Sequence, residues 1–114
     1  LEQVGHLWYQ CVVLDNIASV QADLGAPADA ISTYQRAAAL YLRRNQPPTP
    51  ADINEAAGSK MLALRVAMRN KLGSQGQAVL AEMRLLGLPA LATTLLEAQL
   101  YFGVPSPLPH RFPS

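Results

Sequence analysis

Residues 11–42, CVVLDNIASVQADLGAPADAISTYQRAAALYL, decide the fold. Apolar and small residues recur there in steps of three and four on both sides of one interruption, Gly25-Ala26-Pro27. That period belongs to amphipathic helices, where positions i, i+3 and i+4 share a face. Upstream, Val4, Leu7, Cys11, Leu14 and Ala18 form such a face and predict a helix over residues 3–24. Gly25 closes it, because glycine takes the left-handed conformation beyond a helix end with no Cβ in the way. Pro27 suits an early position of the next helix, expected over residues 28–44 with Ala30, Ile31, Tyr34, Ala37, Ala38 and Tyr41 inward. So short a turn makes the two helices an antiparallel hairpin.

Downstream, Pro47, Pro48 and Pro50 break the pattern, since none of them continues a helix. Thr49-Pro50-Ala51-Asp52 then reads as a fresh start: a threonine cap, proline in the first turn, and an acid near the positive end of the helix dipole. The third helix carries Ile53, Ala57, Met61, Leu64, Met68 and Leu72 on one face, with Arg65, Arg69 and Lys71 off it. Methionines so spaced suit an adaptable binding face, but core packing is the simpler use. Leu72-Gly73 is expected to end this helix, and Ser74 with Gln77 has the spacing of a capping box for a fourth over residues 75–86. Val79, Leu80, Met83 and Leu86 would face inward there. Gly87 and Pro89 separate a fifth helix, residues 89–102, which Gly103 stops. Residues 104–114, VPSPLPHRFPS, have the proline density of an extended tail. We expect an all-α fold of about five antiparallel helices in a single domain, residues 1–103, followed by that tail.

Composition agrees with this expectation. Half of the 114 residues are hydrophobic but only 6% are aromatic, the mixture of a helical core built on Ala and Leu. The net charge of +1 lacks the basic excess that phosphate binding draws on, so no nucleic-acid partner is expected. A membrane span is not expected either, since the most apolar stretch, residues 85–104, is interrupted by Gly87, Pro89, Thr93, Thr94, Glu97 and Gln99. The one cysteine, Cys11, permits no internal disulfide and leaves a reducing, cytoplasmic compartment as the default. Set among Val12, Val13 and Leu14, it reads as a buried thiol. The chain starts at Leu1-Glu2 with helical spacing already under way at Val4, Leu7 and Trp8, so we expect a fragment of a larger protein.

Chemistry finds no foothold. His6 and His110 are far apart and neither has a ligand-type residue four positions on, so no metal is expected. Cys11 and His6, five residues apart, point roughly 140° from each other on a helix and make no nucleophilic dyad. No phosphate-binding glycine loop is present, and Asp52 with Glu55 is explained by the helix dipole. We therefore expect neither catalytic residues nor a cofactor. In the tail, Pro-x-x-Pro-x-Arg would need proline at Ser106, a near miss for an SH3 ligand.

Leu-Gly followed five residues after the glycine by Ala occurs three times, at Gly25 and Ala30, Gly73 and Ala78, and Gly87 and Ala92. With Ala18, Gly25, Ala30, Ile31, Tyr34 and Ala37 at their positions, residues 11–42 resemble a tetratricopeptide repeat, a pair of antiparallel helices in about 34 residues. The family tends to place Trp and Leu where Leu14 and Ile17 stand, and proline where Leu42 stands. A second, irregular copy has its turn 48 residues on, with Arg65 and Val66 departing from the pattern. The resemblance implies a non-enzymatic scaffold, adaptor or chaperone-like, that holds a partner protein or peptide. It implies a binding surface of Asp15, Ser19, Ala22 and Asp23, continued by Ala63, Ala67 and Asn70. The acids there suit a neutral or basic ligand, and a merely solvated face is the simpler alternative. The fifth helix offers a second apolar surface, Leu91, Leu95 and Leu96 with Tyr101 and Phe102. An oligomerisation or docking segment of a larger regulatory protein stands as the alternative function, with homo-oligomers allowed.

Overall fold

A computed structural model describes residues 2–103, with side chains from His6 onward. It is all-helical over that span. The helices are α1 (Glu2–Asp23), α2 (Pro27–Arg43), α3 (Pro50–Arg69), α4 (Gly73–Leu85) and α5 (Ala92–Phe102), with a 3-10 turn at Pro89–Leu91 before α5. They are packed in chain order: α2 lies against α1 and α3, α4 against α3, and α5 against α4 with a lesser contact to α3. The result is a slab of 61 × 33 × 19 Å. Residues 104–114, with His110 and the near-SH3 motif, lie outside the described residues.

The expected breaks fall where the local chemistry places them. Gly25 turns the chain between α1 and α2 with φ +84°, and Gly87 does so ahead of α5 with φ +64°. The pair Leu72-Gly73 differs. α3 ends at Arg69, Lys71 takes the left-handed conformation with φ 56°, and Gly73 is the first residue of α4 rather than a stop. The capping box expected from Ser74 is also absent: Leu72 occupies the cap position and no side chain bonds the free N–H groups. The fifth helix is shorter than 89–102, because Pro89 opens a 3-10 turn before the α-helix begins.

Small residues let the helices approach. Ala18 of α1, Ala30 of α2, Ala63 and Ala67 of α3 and Ala98 of α5 are buried in one continuous core with Leu64, Val79, Leu80 and Met83. Each large aliphatic side chain in it contributes about 1.5–3 kcal/mol by leaving water. A second, smaller cluster of Cys11, Ala38, Tyr41 and Ala56 fills the far end between α1, α2 and α3. The single inward face expected for α3 is too narrow. As the helix flanked by α2, α4 and α5, it also buries Asp52, Ala56, Ser59, Lys60, Ala63, Val66 and Ala67.

Three devices orient the stack, two polar and one steric. Thr49 Oγ1 accepts from the Asp52 N–H and Asp52 Oδ2 accepts from the Thr49 N–H, a reciprocal capping box at the start of α3. Asp52 also accepts from Asn45 Nδ2 at 2.9 Å and pairs with Arg44 at 2.9 Å, tying the end of α2 to the beginning of α3. Lys60 of α3 donates to Gln35 of α2 at 2.8 Å and pairs with Glu82 of α4, bracing three helices through one ammonium. The third device is steric. Gly76 of α4 lies under the Phe102 ring, where a Cβ would fall on the ring carbons.

Two outcomes follow. Gly76→Ala is expected to unseat Phe102, raising hydrogen exchange and protease cleavage in residues 89–102 while α1 to α3 stay protected. The hydrogen bond from the Thr49 backbone, joined by those of Asn45 and Thr49 and by Arg44, holds the Asp52 carboxyl below its usual range. Its stabilisation is therefore complete above the ordinary aspartate value and is lost as pH falls through the lowered one. Thermal unfolding between about pH 5 and pH 2 is expected to show a steeper loss for the native chain than for Asp52→Asn.

Candidate functional site

The expected acidic stripe divides. Asp15 is turned inward, accepting from Ser59 Oγ of α3 at 2.9 Å and from Tyr41 OH of α2 at 3.4 Å. It clasps three helices together. Burial pushes its pKa up, only partly offset by the bonds from Ser59 and Tyr41, and Glu55 adds to the rise. Ala22 packs against the core, which leaves Ser19 and Asp23 as the exposed members.

The continuation of that surface onto α3 is corrected. Ala63 and Ala67 are 0% exposed, because they are the small residues on which neighbouring helices close, so they line no surface groove. Asn70 is exposed at the end of α3, where its Nδ2 donates to the Val66 carbonyl. On α5, Leu91 and Leu95 turn toward the core and Phe102 is seated on Gly76. Tyr101 is half-exposed, its hydroxyl donating to the Met68 carbonyl at 2.7 Å. The exposed apolar residues of α5 are therefore Leu96, Leu100 and Tyr101. The residues singled out from the sequence do not converge on one site.

A different surface is continuous. Along α1 and at Leu24 just past its end, Tyr9, Val13, Ile17, Val20 and Leu24 are exposed by 62, 36, 43, 53 and 79%. Their steps of four, four, three and four put them on one face, centred roughly 150° around the helix from the buried Cys11 and Ala18. Thus α1 is apolar on two opposite sides, one used by the fold and one facing solvent. Five large apolar residues in a row differ from the singly scattered ones that any protein surface carries. Val13 stands between two shallow depressions in this face. One, of about 320 Å³, includes Asn16, Ile17, Val20 and Gln21. The other, of about 460 Å³, is walled on the α2 side by Arg36 and Leu40. Gln21 is fixed there by the Thr33 hydroxyl, which donates to it at 2.7 Å.

The sequence carried a signal for this second face. Reading the period from Cys11 selected the inward set, whereas the same period started at Tyr9 selects the outward one.

Burial, with a contribution from Asp15, pushes the Cys11 thiol up to about 11, away from the range of a nucleophilic thiolate. Among the described residues, no three His, Cys, Asp or Glu side chains converge as metal ligands. No described helix is long and apolar enough to cross a membrane. In comparisons with known proteins, no family model, no curated protein and no solved structure matches the chain. Cys11 is expected to resist iodoacetamide at neutral pH in the folded protein and to react in denaturant, as read by mass spectrometry.

Proposed function

We propose that this chain is a protein-interaction module of tetratricopeptide-like build, an adaptor or chaperone-type scaffold whose docking surface is the outer face of α1. The observation that carries the proposal is the uninterrupted exposed row of Tyr9, Val13, Ile17, Val20 and Leu24. Exposed apolar area of this kind loses free energy to water unless a partner covers it. A helix with anchors at such steps is suited to a second amphipathic helix laid along it. The hairpin of α1 and α2 supports the tetratricopeptide-like build, with Gly25 at its turn and Ala18 and Ala30 buried in one core. The clasp of Asp15 by Ser59 and Tyr41 supports a scaffold role, since it keeps α1 rigid on α2 and α3 while its outer side stays open. The neutral or basic ligand expected from the acidic stripe is replaced by an apolar one.

Site-specific photo-cross-linking tests this reading. A photoreactive residue at Ile17 is expected to yield protein adducts, and one at Gln75, exposed on α4, is not. Equal yields from the two positions would remove the outer face of α1 as the docking surface.

A further inference from the structure

We propose that the occupant of the α1 outer face is the same face of a second copy of this chain, paired antiparallel about a two-fold axis. The proposal rests on reading that face as a docking surface and adds its partner and geometry. The row is nearly symmetric about the point between Asn16 and Ile17. An antiparallel copy centred there sets Tyr9 against Leu24, Val13 against Val20, and Asn16 against Ile17. Such self-complementarity is what an isologous contact requires, because every residue meets its partner twice.

Charge selects the direction. On α2, Asp29, Arg36 and Arg43 recur at intervals of seven and so share a side of the helix; all three are exposed. Arg36 lies beside Val13 and Leu40 in the larger depression, which places this side along the α1 face. No ion pair among the described residues involves these three. Since α2 runs back along α1, Asp29 lies toward the Leu24 end and Arg43 toward the Tyr9 end. A parallel copy, related by an axis along the helices, sets the two α2 walls on opposite sides of the α1 pair and brings none of these charges together. An antiparallel copy sets both α2 walls on the same side and brings Asp29 toward the partner's Arg43 twice, two opposite-charge approaches that outnumber the one between Arg36 and its counterpart near the axis. Opposed helix dipoles favour the same direction. The small net charge of +1 sets little long-range repulsion against self-pairing.

The strip from Tyr9 to Leu24 is ~24 Å long and ~10 Å wide. Two such strips with their α2 walls fall at the low end of specific interfaces, below roughly 1,200 Å² in total. A reversible, concentration-dependent dimer is the form this contact takes.

Analytical ultracentrifugation from micromolar to millimolar concentration, combined with cysteine cross-linking, provides the test. The native chain is expected to pass from monomer to dimer. Val13→Asp and Val20→Asp, at exposed positions where the fold survives by circular dichroism, each weaken the dimer tenfold or more. Asp29→Arg and Arg43→Asp each weaken it at low salt, and the double exchange restores it. Tyr9→Cys mixed with Leu24→Cys cross-links across the pair, while Tyr9→Cys alone does not. A monomer throughout the range, a dimer indifferent to Val13→Asp, or self-linking of Tyr9→Cys overturns the proposal. If the native chain is monomeric yet Ile17 still photo-cross-links to other proteins, the docking surface stands and only its occupant is wrong. If both are lost, the reading beneath the proposal falls with it.

Discussion

The carboxylate of Asp52 governs how the chain passes from its first hairpin to the rest. It is fully enclosed, yet it accepts from the Thr49 backbone, from Asn45 and from Arg44. An ionised carboxylate without those donors would be expelled from such a place, so the connection of three prolines is held in one path by hydrogen bonding rather than by apolar contact. That path sets the direction in which α3 leaves. Because α3 is the helix on which α2, α4 and α5 all rest, an error there would propagate into every interface but those of α1 with α2 and of α4 with α5.

Helix number and most helix ends were legible before the structure, because they depend on local chemistry. Proline at Pro47, Pro48 and Pro50, the left-handed turn at Gly25 and the Thr49 cap each act within a few residues. Gly73 shows where local reading stops. The left-handed position fell to Lys71, two residues earlier, since the place at which α3 yields to α4 is decided by packing as much as by glycine. Asp15, Ala63 and Ala67 failed as surface residues for a related reason. A polar side chain reads as exposed until its acceptors are matched by Ser59 and Tyr41 from distant parts of the chain. Alanine has no outward signature at all, being equally at home on a surface and where two helices touch.

The outer face of α1 was legible in principle and was obscured by competition. One helix holds two apolar rows, and a search for a single core-facing row stops at the first it finds. Only the packing of α2 and α3 against the Cys11 and Ala18 side distinguishes the row that builds the fold from the row left over. In the same way, the buried thiol belongs to the fold, and its environment raises its pKa instead of lowering it.

The seating of Phe102 on Gly76 joins positions 26 residues apart into one steric unit. Neither residue can be judged alone when this sequence drifts. A side chain at position 76 is tolerable only after the ring at 102 has become smaller, whereas the reverse order opens a void that a larger residue at 76 can later fill. The permitted routes of change through these two positions are therefore ordered in time, and the aromatic partner must yield first.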